Sequence, residues 1–360
     1  MSNGDNPAIV VTGISGNLGA RLLPLLDEFQ VIGVDMVPPQ FSGALRFEKT
    51  DLSREASCRQ LVQVLRESKA RAVVHLAFVF DPVRSGVLDA ERMWQSNVAG
   101  TARVLEAVTE ANRRGCSIDT FIFPSSTCVY GPETPGLVKE NQPLAAESLS
   151  FAVHKQEADN VVRLRATSLG NCATYVLRSA FFAGAEVENY LMGALRGLAT
   201  GKSKRADRLR QRGKRLPLLT PGTNYRQNRF QFTHIDDIAR LIAYILRLPV
   251  AQKQEIAVLN VAGRGEPLTF DEVAALAQAR TVRVPGKWAM RRLLGLYWNR
   301  GVSAVPPEAT PYLCGNCLAD TSALKKFLGS DYERVIQYSI ATGLQDTFKT
   351  DEASAAANER

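Results

Sequence analysis

Glycines at positions 13, 16 and 19 stand between an apolar run, Ala8–Val11, and a segment of helical apolar spacing, Asn17–Leu26. This spacing suits a loop that holds the diphosphate of a dinucleotide. Gly13 can take backbone angles closed to other residues, Gly16 lets the main chain approach the phosphates, and Gly19 lets the helix pack closely on the strand. N–H groups at the helix start then face the phosphate charge. A second apolar run, Gln30–Val34, ends in Asp35, where an acid should hydrogen-bond the adenosine ribose. Its carboxylate accepts bonds from a free 2′-hydroxyl and repels a 2′-phosphate. Because Met36-Val37-Pro38-Pro39 brings no arginine, the pattern predicts NAD rather than NADP.

The elements that position these residues alternate as a doubly wound parallel sheet requires. Strands are expected at Ala8–Val11, Gln30–Val34, Leu45–Phe47, Ala72–Leu76, Thr120–Phe123 and Thr174–Arg178, with helices over 53–67, to Arg113 and over 149–167. Beyond Ser179 the alternation lapses into a helical piece at 187–198, a basic insertion at 202–215 and a strand near Phe230-Gln231-Phe232. The helix at Asp236-Asp237 and the strand Ala257–Val261 rejoin the first layer. The reading is an α/β Rossmann domain over 1–180, rejoined by about 236–262, and a smaller C-terminal α/β substrate lobe over 181–350. A flexible tail is expected at 351–360.

Composition narrows the class. The chain has 360 residues, 45% hydrophobic, enough for a large core. It has no apolar run of membrane-spanning length and a polar start, so neither a membrane nor a secretory role is expected. Six scattered cysteines suit a reducing cytoplasm, and Cys314-Gly315-Asn316-Cys317 lacks the second pair that a zinc site needs, so no metal is expected. The net charge of +8 is local, because eight basic residues against Asp207 alone fall between Lys202 and Arg215. That stretch reads as a solvated or partly disordered insertion, or as a polyanion-binding patch. It lacks interleaved aromatics, which argues against nucleic acid.

Several ordered motifs make the chain resemble the extended short-chain dehydrogenase/reductase superfamily, the NAD-dependent epimerases, dehydratases and related enzymes. Thr12-Gly13-Ile14-Ser15-Gly16-Asn17-Leu18-Gly19 matches the cofactor loop, and Asp51-Leu52 matches the pair near the adenine. His75-Leu76-Ala77 matches the loop lining the cofactor, and Asn97-Val98-Ala99-Gly100-Thr101 a characteristic helix segment. Ser125-Ser126-Thr127-Cys128-Val129-Tyr130-Gly131 matches the active-site serine loop. The resemblance implies that Ser126 bonds the reacting oxygen, that Lys155 bonds the nicotinamide ribose, and that homodimers form.

One motif departs. Where the family carries a tyrosine four residues before the lysine, this chain reads Phe151-Ala152-Val153-His154-Lys155. The family's phenol is its general acid or base, and a benzyl ring has no proton to give. Three readings stay open. The proton is handled by Tyr130, His154, Cys128 or a water held by Ser126 and Lys155; or the protein is a catalytically silent NAD-binding regulator; or the site lies elsewhere. His154, next to Lys155, points about 100° away on a helix, which gives it a solvent-facing or inter-helix role. The expected substrate is a small hydroxyl or carbonyl compound. Phe230 stands where nucleotide-sugar enzymes of the family carry a diphosphate arginine, leaving Arg226, Arg229 or the basic insertion for any phosphate. The aromatic runs Phe78-Val79-Phe80 and Phe181-Phe182 suit a less polar substrate or simply the core.

Overall fold

The computed structural model describes residues 6–41, 43, 45–80, 89–222 and 224–358. The chain opens with β1 (Ala8–Thr12), α1 (Asn17–Leu22), β2 (Gln30–Asp35), β3 (Leu45–Lys49), α2 (Ala56–Glu67) and β4 (Ala72–His75). Then come α3 (Ala90–Trp94), α4 (Gly100–Arg113), β5 (Thr120–Ser126), α5 (Ser150–Arg165) and β6 (Ala173–Ser179). Next are β7 (Phe181–Ala183), α6 (Tyr190–Arg196), α7 (Lys204–Gln211), β8 (Leu218–Pro221), β9 (Arg229–Phe230), β10 (Phe232–His234), α8 (Ile235–Arg247) and β11 (Ile256–Val261). The chain finishes with β12 (Leu268–Thr269), α9 (Phe270–Leu276), β13 (Thr281–Val284), α10 (Lys287–Asn299), α11 (Ser322–Leu328), α12 (Tyr332–Val335) and α13 (Ile340–Asn358).

Seven strands form the main sheet in the order β11-β6-β5-β4-β1-β2-β3, every neighbouring pair parallel. All five side chains of β1 are buried, because helices cover both faces and a parallel strand must be apolar on each. Ile9 and Val11 pack beneath α8 through Ile238, Leu241 and Ile242. Val10, one residue out of phase, faces the layer of Leu61, Val104, Val108 and Val162 from α2, α4 and α5. The strand order reverses between β1 and β4, and at such a switch point loops leave in opposite directions and open a crevice. A further apolar cluster gathers Leu191, Leu218, Phe230, Phe270, Leu294 and Leu313 from the elements after β6. Among the described residues, no helix is long and apolar enough to cross a membrane.

Three local expectations change. The helix expected over 17–26 stops at Leu22 and tightens into a 3₁₀ turn at Leu23–Leu25, where Pro24 cannot continue the ladder. The strand expected at 230–232 divides at Gln231: Phe230 pairs with Leu268, and Phe232 with Phe181. The basic insertion carries helix α7. Ser203 caps it by accepting from the Ala206 N–H (3.2 Å), and Ala206 and Leu209 pack on Val302 and Tyr297. Helix α13 runs to Asn358, in keeping with the alanines at 353 and 355–357.

Candidate active site

The crevice at the switch point is floored by the glycine loop. Gly13 has φ +72°, its N–H donates to the Val34 carbonyl (2.8 Å), and a Cβ there would lie 2.3 Å from the Ala77 nitrogen. Only a bare α-carbon lets β1 and the loop after β4 approach so closely. Gly19 serves packing, since a Cβ would fall 2.0 Å from the Ile14 oxygen. Gly16 differs from both. A Cβ there would meet only the Gly13 oxygen at 3.3 Å, and Gly16 caps α1 with no side chain, so main chain faces open space.

One end of the crevice is a cavity of about 220 Å³ walled by Gly13, Gly16, Asp35, Asp51, Leu52, Leu76, Ala77 and Asn97. Asp35 accepts from the N–H groups of Ser15 (3.1 Å) and Met36 (2.7 Å), which fixes its carboxylate at the end of β2. Hydrogen bonds from Ser53 and the Arg54 charge outweigh burial and hold the Asp51 carboxyl below its usual range. The described lining therefore has two carboxylates and no lysine or arginine. An adenosine with a free 2′-hydroxyl fits this chemistry; a 2′-phosphate does not. Asn97 shapes the wall by gripping Val79 from both sides, accepting its N–H (2.6 Å) and donating to its carbonyl (3.0 Å).

The other end is a cavity of about 310 Å³ that shares Gly13, Gly16, Leu76 and Phe78 with the first, making one trough. Asn17, Leu18, Ser126, Phe151 and Lys155 line it. Lys155, one turn past Phe151 on α5, donates from Nζ to the Pro124 carbonyl (2.7 Å) and lies 3.7 Å from the centroid of the Phe78 ring. Burial pushes its ammonium down to about 7, against a smaller opposite pull from Cys128 and Asp159. Phe151 lines the same end, with Phe78 and Phe80 edge-on to its ring at 5.7 and 4.9 Å.

A buried polar rung stands behind this end. Ser125, Arg178 and Asn260 are register partners across β5, β6 and β11. Asp159, on α5 one turn after Lys155, accepts from Ser125 Oγ (2.7 Å) and from Arg178 Nε and Nη2 (2.9 and 2.8 Å). Both members of this ion pair have side chains with no exposure. Since side chains alternate along a strand, fixing Ser125 toward α5 turns Ser126 to the cavity.

The trough thus brings together most of the sequence candidates: Gly13, Gly16, Asn17, Leu18, Asp35, Asp51, Leu52, Leu76, Ala77, Asn97, Ser126, Phe151 and Lys155. Four lie off its lining. Thr12 is buried, and its hydroxyl pairs with His75 Nδ1 (2.6 Å), which locks β1 to β4; burial takes His75 down to about 3, so it is neutral. Ser15 bonds the Val37 carbonyl (2.6 Å), and Gly19 packs on Ile14. Tyr130 donates its hydroxyl to Asn260 (2.8 Å) and accepts from Arg178 (2.7 Å), while burial raises its pKa, so it offers no free base. Of the other proton candidates, His154 is buried at the helix interface beside Asn97 (3.4 Å), and burial pushes the Cys128 thiol up to about 12. Cys314 and Cys317 are buried free thiols facing the Thr310 and Thr127 carbonyls. Sequence reading missed Tyr190, Tyr312 and Leu313 as cavity walls, because nothing near them in sequence ties them to the glycine loop.

A search of curated proteins finds no match to this sequence. Solved structures do match in fold. MoeE5 in complex with UDP-glucuronic acid and NAD superposes with a TM-score of 0.64 at 20% identity, covering 96% of this chain and 99% of that one. UDP-glucuronic acid 4-epimerase from Bacillus cereus, in complex with UDP-glucuronic acid and NAD, gives 0.63 at 19% identity, with 96% and 99% covered. UDP-glucose 4-epimerase from Thermotoga maritima with UDP-glucose gives 0.64 at 16% identity, with 97% and 99% covered. At these identities the likeness establishes the fold, a Rossmann-type α/β sheet. The glycine loop, the acid at the end of β2 and the strand-end serine all fall within residues 9–262, the span matched by the model of the NAD dependent epimerase/dehydratase family, and the chain belongs to that family.

Proposed function

We propose that this chain binds NAD and works as an oxidoreductase of the epimerase/dehydratase type on a hydroxyl or carbonyl group of a small molecule. The observation that carries this reading is the continuity of the trough. Gly13, Gly16, Leu76 and Phe78 wall both the acidic end, suited to an adenosine ribose, and the end that holds Ser126 and Lys155. Asp35 would hold the ribose hydroxyls, and the main chain at Gly16 the diphosphate. The chemistry that bound NAD supplies is hydride acceptance from a substrate carbon. Ser126 donates to the reacting oxygen. Lys155 takes the proton, directly or through one water, because Tyr130, His154 and Cys128 are withdrawn or hold their protons.

A neutral amine is the proton acceptor, so oxidation should speed up as the pH rises through about 7. Lys155→Met should cut turnover by about 10²–10⁴-fold and abolish that inflection. Steady-state NADH formation across pH with a panel of secondary alcohols and nucleotide sugars measures both. An unchanged pH profile in Lys155→Met would contradict the assignment. The tight aromatic packing around Phe151 favours a second reading, a silent NAD-binding protein. NAD binding with no turnover on the whole panel would support it.

A further inference from the structure

The catalytic end of the trough is walled largely by hydrocarbon, with Phe80, Phe151, Phe181, Phe182, Val187 and Leu313 among its lining. Among the described lining residues only Lys155 and Glu188 carry charge, and Lys155 Nζ already donates to the Pro124 carbonyl. A nucleotide sugar would bring a diphosphate here. Its negative charges would lose their hydration, with only the Lys155 amine, already donating to Pro124, to offset them. Arg229 gives no help, since it lies on β9, paired with β12, and is absent from the lining.

An independent observation concerns Ser179. It is the register partner of Ser126 at the ends of β5 and β6, so both side chains share a face, and both line the cavity. Ser179 is 1% exposed, and its hydroxyl has no hydrogen-bond partner among the described residues. A buried hydroxyl left alone is unfavourable unless an incoming group bonds it.

We propose that this chamber receives a lipophilic secondary alcohol or the matching ketone, an alicyclic or aromatic body whose single oxygen is held between Ser126 and Ser179, and that it rejects nucleotide sugars. The proposal rests on the reading of the trough as an NAD-dependent site, so NAD affinity of the full-length protein is measured first and separately. The NAD-loaded protein is then titrated with the neutral fluorophore N-phenyl-1-naphthylamine, and the bound probe is displaced with decahydro-2-naphthol or with UDP-glucose. The probe should brighten, and decahydro-2-naphthol should displace it at a concentration at least tenfold below that of UDP-glucose.

Ser179→Ala should weaken the alcohol about three- to tenfold, the range of one neutral hydrogen bond, and leave NAD affinity intact. If that variant lost NAD binding, Ser179→Cys would carry the same comparison. Three results overturn the proposal: no probe binding, displacement by UDP-glucose at an equal or lower concentration, or an alcohol affinity indifferent to Ser179. Failure of NAD to bind would instead remove the redox reading beneath it.

Discussion

A methyl group at each of the three loop glycines would do a different thing. At Gly13 it would meet left-handed backbone and the Ala77 main chain, and at Gly19 the Ile14 carbonyl; both are positions of fold. At Gly16 it would meet only the Gly13 oxygen, at 3.3 Å, a contact that a small shift relieves, and it would cover main chain at the exposed start of α1. Gly13→Ala should therefore lower unfolding free energy by more than the roughly 1–2 kcal/mol of the backbone conformation alone. Gly16→Ala should leave stability within about 0.5 kcal/mol, yet weaken NAD about tenfold, which corresponds to about 1.4 kcal/mol. Urea denaturation and cofactor titration of both variants check this, and equal stability losses would contradict it. These glycines and Asp35 were legible because the site is built from one short stretch of chain. The hydrogen-bond partners of Thr12 and Tyr130 were not, because His75, Asn260 and Arg178 lie 48 to 130 positions away.

Among the elements, β5, β6 and β11 form the scaffold of the end that holds Ser126 and Lys155, and the rung Ser125, Arg178, Asn260 with Asp159 holds their tips in register. The Arg178 guanidinium serves Asp159, the Tyr130 hydroxyl and the Glu140 carbonyl (2.8 Å) at once. Arg178→Met would strand the Asp159 carboxylate with only Ser125 and Arg163, and it should destabilise the fold by about 3–5 kcal/mol. A two-state denaturation curve measures this, and a loss below 1 kcal/mol would show that the pair adds little. Apolar periodicity revealed the strands of the sheet, because buried parallel strands read as apolar runs. It could not reveal the rung, whose members come from four elements, nor α7, whose Ser203 cap and small apolar stripe were masked by charge.

At the scale of the whole molecule, sheet order and switch point place the trough, and charge is distributed apart from it. Residues 202–215 and 280–300 hold 14 of the 44 basic and 1 of the 36 acidic residues, so the remaining chain is acidic, 30 against 35. The two segments adjoin, since Ala206 and Leu209 of α7 pack in one cluster with Tyr297 of α10. None of their basic side chains lines the acidic end of the trough, where Asp35 and Asp51 set the local field. A positive molecule should therefore still discriminate against the extra phosphate of NADP. Isothermal titration calorimetry of the full-length protein with NAD, NADH and NADP tests this most directly. NAD and NADH should bind at one site per chain and NADP at least tenfold more weakly, whereas no heat with NAD and NADH, or a preference for NADP, would contradict the central claim.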